Sequence, residues 1–270
     1  MTDTRVHEWP LVVFTTLAIT GAGLLSTPLV AALVAGTPAT AAPALPWGAG
    51  LLAAGLAVSL LHLGRPGRAP QVIRAIGRSR LSTEVALAGV ALIAGIGAAL
   101  LPYTSPLLDA ATGVAALAFL LALGLVYSLP GQPTWRGAVV GMPLTMGLGF
   151  GVVTIAGMWD GAVAAVAPVA AAVLAADIIL LLLRRLALAW PPASLSPRHP
   201  SVFAHRHALL AARLALVDIL PGCFMIAGLP RIAALGLGVG VLADRVTFYG
   251  LAAPATTEAD LASAEELLGT

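Results

Sequence analysis

The sequence predicts an all-α, polytopic membrane protein folded as a bundle of eight transmembrane helices. Hydrophobic residues make up 59% of the chain and charged residues only 10%, whereas about a quarter of the residues of a soluble globular domain are charged. Apolar segments of about 20 residues recur along the chain, which is the length that an α-helix needs to cross about 30 Å of hydrocarbon. Short breaks that contain proline and glycine separate these segments, as expected where helices end.

The first four helices are predicted at residues 9–35, 44–64, 83–102 and 108–129. The first span is far longer than the roughly 7–15 apolar residues of a signal-peptide core, so we interpret it as a retained helix. Ser82 is a residue type that caps helices and lies at the start of the third span. Prolines mark the breaks at positions 38, 43, 46, 66, 102 and 106.

The last four helices are predicted at residues 135–157, 161–184, 207–228 and 231–252. Prolines precede the fifth span, separate the sixth from the seventh and divide the last two. Glycine pairs at a spacing of four, Gly147 with Gly151 and Gly236 with Gly240, favour close helix packing. Residues 1–253 then form one membrane domain, and residues 254–270 form an acidic, solvated tail.

The arginines predict an orientation, since all 14 basic residues are arginine. An even number of helices places both termini on one face of the membrane, here called side A, with the 2–3, 4–5 and 6–7 loops. Side A receives Arg5, Arg65, Arg68, Arg74, Arg78, Arg80, Arg136, Arg184, Arg185, Arg198 and Arg206, and side B receives Arg231. The positive-inside rule makes side A cytoplasmic. That inference weakens if the arginines dock a partner instead. We expect the chain in the cytoplasmic (inner) membrane.

Ionisable residues inside the predicted helices define a candidate site, because charges at membrane depth are costly and usually face a bundle interior or cavity. At about 1.5 Å per residue, Asp177, Arg213 and Arg245 lie roughly 9–11 Å below side A. His62 ends the second span and Glu84 begins the third, near the same surface. Five helices thus contribute to one polar layer, which predicts a ligand cavity near side A.

Each of these residues also has a purely structural interpretation. Asp177 and Arg213 can simply neutralise each other as a buried pair. His62 and Glu84 can complement the dipoles of the helices that they end and begin. Asp218 lies about five residues deeper than the layer and is expected to stand apart from it.

The chain itself offers no ligand set for a common redox group. Its single cysteine, Cys223, is too few for an iron–sulfur cluster, which needs about four ligands. Haem is disfavoured because His62 has no histidine partner in the membrane interior. No metal-ligand spacing, phosphate loop or Ser-His-Asp order is present, and a net charge of +2 does not indicate a nucleic-acid partner. The functions that remain possible for this chain are proton handling and the binding of an amphipathic molecule.

Five short segments carry a family resemblance. They are H-E-W-P-L from His7, L-H-L-G-R-P-G-R-A from Leu61, L-S-T-E from Leu81, P-T-W from Pro133 and R-V-T-F-Y-G-L from Arg245. In this order they resemble the membrane-anchor subunit of dimethyl sulfoxide reductase-type molybdoenzymes, from the N-terminus to the end of the eighth helix. The resemblance implies that residues 1–253 anchor a molybdopterin catalytic subunit and a four-cluster iron–sulfur subunit at the lipid bilayer.

The same resemblance implies oxidation of menaquinol in anaerobic respiration, with no haem or cluster in this chain and no catalysis on the terminal acceptor by this chain alone. His62 would hydrogen-bond the quinol and Glu84 would accept or relay protons. The residues implied to support them are Asp177, Arg213, Arg245 and Tyr249, and those implied to dock the partner are Arg65, Arg68, Arg74, Arg78 and Arg80. Val241 occupies a position where the family carries an acid, for which Asp244 is a possible substitute. The alternatives are an anchor of the polysulfide or nitrite reductase type, or a small-molecule transporter.

Overall fold

A computed structural model of the chain describes residues 9–35, 43–62, 76–101, 106–128, 137–158, 162–189 and 204–251. Within these ranges the chain is helical and has no strand. The tail predicted at residues 254–270 lies outside them, as do Arg65, Arg68 and Arg74.

Eight helices run in sequence through the described ranges, which confirms the predicted bundle. They are α1 Trp9–Ala35, α2 Ala44–His62, α3 Arg80–Leu100, α4 Pro106–Val126, α5 Met142–Met158, α6 Ala162–Ala189, α7 Arg206–Ile226 and α8 Pro230–Gly250. In the described part of the chain, six are long and apolar enough to cross a membrane, and α2 and α5 are shorter apolar helices. A 3₁₀ turn, Gly137–Val140, leads into α5.

Helix α1 lies at the centre of the bundle and packs against α2, α4, α5 and α8. Its side chains Ile19 and Leu25 are fully buried in the apolar core. The crossing with α5 is close, because a Cβ atom added at Gly23 would overlap the backbone of Gly147, and one added at Gly151 would overlap that of Gly23. The predicted role of the Gly147–Gly151 pair in close packing is therefore confirmed.

Helix α3 begins at Arg80, three residues earlier than predicted. Its capping side chain is that of Ser79, which accepts a hydrogen bond from the backbone N–H of Ser82 at 3.3 Å. The Nη1 atom of Arg80 donates to the carbonyl oxygens of Leu125 at 3.2 Å and Ser128 at 2.8 Å. These bonds hold the start of α3 against the end of α4, on side A.

Helix α7 contains one π-helical turn, Ala215–Ile219, which ends two residues before Pro221. Proline has no N–H to donate and its ring crowds the preceding turn, so a local change of helical pitch at this point has an identifiable cause. Such turns widen the helix and often occur at functional sites. Here the π turn carries Asp218.

Candidate functional site

A network of buried charges joins α6, α7 and α8 in the half of the bundle near side A. Its centre is Arg213, whose side chain is 1% exposed. The Nη1 atom of Arg213 donates to Asp218 Oδ2 at 2.9 Å and also to Asp177 Oδ2, and its Nε donates to Asp244 Oδ1 at 3.1 Å. One guanidinium group therefore contacts carboxylates from three helices, since Asp218 lies on α7, Asp177 on α6 and Asp244 on α8.

Two further arginines complete this network around Asp244. The Nε atom of Arg245 donates to Asp244 Oδ2 at 3.0 Å, and Arg184 Nη1 lies 3.8 Å from Asp244 Oδ1. Both guanidinium groups also lie over the ring of Phe248, with centroid distances of 5.7 Å for Arg184 and 4.7 Å for Arg245. Three arginines and three aspartates thus balance one another inside the bundle.

Helix α5 contributes a hydroxyl group to the network. The side chain of Thr145 donates to Asp177 Oδ1 and lies 3.1 Å from the carbonyl oxygen of Met142. Asp177 is thereby held from both sides, by a hydroxyl on α5 and a guanidinium on α7. Fixing both carboxylate oxygens restricts the rotamers open to this side chain.

The structure brings together three of the supporting residues implied by the resemblance, namely Asp177, Arg213 and Arg245. The interpretation of Asp177 and Arg213 as a buried pair describes a real contact, but the pair is part of a larger network. The expectation that Asp218 stands apart was wrong, because the π turn and the long Arg213 side chain bring them into contact.

The sequence analysis also did not predict that the side chain of Arg184 is buried. Hydropathy ended the sixth helix at residue 184 and placed this arginine at the side A surface. Helix α6 instead continues to Ala189, and the Arg184 side chain is 2% exposed. Its Nε and Nη2 atoms have no hydrogen-bond partner among the described residues.

A second buried cluster surrounds Glu84, in the first turns of α3. The carboxyl-bearing side chain is 3% exposed and interacts electrostatically with the hydroxyl groups of Tyr127 and Tyr249. Tyr249 donates a hydrogen bond to Tyr127 Oη at 2.7 Å, and their rings meet edge to face at 5.8 Å. Thr15 of α1 lies beside Tyr249, and its hydroxyl donates to the carbonyl oxygen of Leu11 at 2.8 Å. We call Glu84, Tyr127, Tyr249 and Thr15 the Glu84 cluster.

The two polar regions are joined through α8. Phe248 packs edge to face on Tyr127 at 5.4 Å and on Tyr249 at 5.1 Å, and its ring also lies beneath the guanidinium group of Arg245. The charge of Arg245 acts on both tyrosine hydroxyls. Tyr249 lies one helical turn from Arg245 and thus connects the Glu84 cluster to the charge network.

The remaining site residues implied by the resemblance lie around these clusters. His62 is the last residue of α2, and its side chain lies outside the part of the chain that is described. Arg78 and Arg80 are exposed, although Arg80 also makes the bonds to α4 given above. Within the described ranges, no group of three or more His, Cys, Asp or Glu residues has the geometry to hold a metal ion.

Comparison with known families gives one clear result. The family model for the DMSO reductase anchor subunit (DmsC) matches residues 2–251. No curated protein matches the sequence. The match extends over all eight helices and both polar clusters. The chain therefore belongs to the DmsC family and is the membrane anchor of a DMSO reductase-type complex.

Proposed function

We propose that this anchor binds menaquinol at the Glu84 cluster, oxidises it and passes the electrons to the iron–sulfur subunit of its complex. Membership of the family implies association with a molybdoenzyme subunit and an iron–sulfur subunit; the four-cluster type of the latter belongs to the proposal. The observation that carries the proposal is the burial of Glu84 near side A, within electrostatic range of two tyrosine hydroxyls. A buried carboxyl group is costly and in a membrane protein usually has a functional reason.

The chemistry requires groups that bind two hydroxyls and take up protons. Oxidation of a quinol to a quinone releases two electrons and two protons. Glu84 is positioned to accept a proton as a general base, and the hydroxyls of Tyr127 and Tyr249 can both donate and accept hydrogen bonds. His62, which ends α2, would accept a hydrogen bond from the second quinol hydroxyl. The electrons leave for the partner subunit, and the protons leave at side A.

The test is Glu84→Gln in the assembled complex. Glutamine keeps the size and hydrogen-bonding capacity of the side chain but cannot take up a proton at neutral pH. Because general base catalysis contributes about 10²- to 10⁴-fold, we expect quinol-dependent turnover to fall by about that factor. Activity with a reduced artificial dye that feeds the iron–sulfur subunit directly should remain unchanged.

Asp109→Asn is the matched control, since it also converts a buried carboxyl group to an amide. Asp109 lies in the first turn of α4, at the side B end, and is 6% exposed. Its variant should retain quinol-dependent turnover. Wild-type quinol kinetics in Glu84→Gln, with the complex intact, would remove Glu84 from the proposed site.

We further propose that the chain lies in the cytoplasmic membrane with side A facing the cytoplasm, on the distribution of its arginines. A reporter enzyme that is active only in the cytoplasm, fused after residue 251, should then be active. The same reporter fused after Gly228, in the turn between α7 and α8 on side B, should be inactive. The reverse pattern of activity would invert the orientation.

A further inference from the structure

A cavity of about 320 Å³ lies between α5, α6, α7 and α8, apart from the Glu84 cluster. Helices α6 and α7 pack together near side A but separate towards side B, where the last segment of α7 contacts α8 instead. The rim of the opening carries exposed side chains, among them Ala167, Ala171 and Ile226. Because these lining side chains are exposed at the outer surface of the bundle, the cavity is open to the lipid.

One end of this cavity is polar and the remainder is apolar. Thr145, Asp177 and Asp218 line the end nearer to side A, and the other walls are formed by aliphatic residues, methionines, glycines and a proline. Both carboxylates accept a hydrogen bond from the Nη1 atom of Arg213. The adjacent Nη2 atom of Arg213 is buried and has no hydrogen-bond partner among the described residues.

This arrangement is typical of a ligand site, which is concave, mostly apolar and has a few convergent polar groups. The volume lies at the lower end of the range of about 300–1,000 Å³ found for such sites. An apolar ligand chain fits the walls and the opening to lipid. Oxygen acceptors at the polar end favour a head group that donates a hydrogen bond.

The balance of charges in the network further restricts which head groups the cavity can bind. Three arginines and three aspartates already compensate one another in the network. A cationic or anionic head group would add an uncompensated charge at membrane depth, which is costly. A neutral hydroxyl group adds none and can donate to an aspartate oxygen.

We propose that the cavity between α5 and α8 is a second binding site, which takes a long-chain amphiphile with a hydroxyl head group. Two membrane molecules share this chemistry, a quinol and a monoacylglycerol. The site does not depend on the chemistry proposed for Glu84, because its residues lie on α5 to α8 and Glu84 lies on α3. The failure of either proposal therefore leaves the other intact.

The chain offers a matched pair of substitutions to test this site. A side chain added at Gly222 meets only Leu174, 4.0 Å away, and both residues line the cavity, so Gly222→Leu fills the space without a backbone clash. Gly236 lies on α8 away from the cavity, and a Cβ there has no neighbour within 4 Å. Gly236→Leu therefore makes the same chemical change in open space.

The probe is a long-chain primary alcohol with a diazirine in the middle of its chain, photolysed with the purified complex in nanodiscs. Mass spectrometry should find the label on cavity residues such as Leu174 and Met225. We expect labelling to fall about tenfold in Gly222→Leu and to match the wild type in Gly236→Leu. Equal labelling in the two variants overturns the proposal.

Chemical controls test the head group and identify its source. The methyl ether of the same probe cannot donate a hydrogen bond, so we expect it to label the cavity about tenfold less, the scale of a hydrogen bond to a charged group. Equal labelling by the ether and the alcohol overturns the head-group assignment. Competition by unlabelled menaquinol supports a quinol site, and competition by monoacylglycerol alone supports a lipid site. Failure of both to compete overturns the ligand class.

Discussion

Replacement of Arg213 by methionine should prevent the chain from folding stably in its complex. The guanidinium group contacts Asp177, Asp218 and Asp244, and the variant leaves these carboxylates facing one another in a buried region. Removal of one partner from a buried ion pair typically costs about 3–5 kcal/mol, and here three pairs share that partner. We expect either no recoverable complex or a large drop in its thermal unfolding midpoint in detergent.

Two comparisons isolate the cause of this effect. Arg231→Met makes the same substitution at an exposed site, where Nε donates to the carbonyl oxygen of Gly157 at 3.0 Å, and should cost about 1 kcal/mol or less. Arg213→Lys keeps the charge but loses the planar fork that serves several acceptors, so its stability should lie between those of the other two variants. A wild-type unfolding midpoint in Arg213→Met would contradict the view that Arg213 holds the three acids in place.

Much of the fold could be predicted from the sequence because the bilayer imposes a length on every apolar helix. All eight helices were found, and most boundaries lie within a few residues of the prediction. The errors occurred where polar residues lie within helices. Arg184 resembles an interfacial arginine in a hydropathy profile, and only its packing against Asp244 and Phe248 reveals that it is buried.

The site was harder to predict for reasons of geometry. Counting depth along straight helices brought Asp177, Arg213 and Arg245 to one level, but it assigned no partners. Asp218 escaped that count because a π turn before Pro221 is invisible to a regular periodicity. Tyr127 could have been found by the same count of depth, because it follows the end of α4 and so lies near side A, at the level of Glu84. The cavity could not be predicted from the sequence, because alanine and glycine residues occur both in cavity walls and at closely packed helix crossings.

The second large effect is expected for a substitution at Gly23 on α1, where two helices pack closely. A methyl group at this position would overlap the carbonyl group of Gly147, which belongs to the backbone of α5 and cannot rotate away as a side chain does. The two helices must then move apart at a crossing in the centre of the bundle. Overpacking of this kind costs about 1–3 kcal/mol and sometimes more, so Gly23→Ala should lower the thermal unfolding midpoint and the yield of the complex.

The matched control is Gly89→Ala on α3, where an added Cβ has no neighbour within 4 Å. Alanine is favoured over glycine in a helix by up to about 1 kcal/mol, so this variant should be as stable as the wild type or slightly more so. The same substitution is thus expected to have opposite signs at two helical sites. If Gly23→Ala also raised the unfolding midpoint, the α1–α5 crossing would have to be looser than its backbone contacts indicate. If both variants lowered it, the loss would reflect a property of glycine in these helices rather than the contact with Gly147.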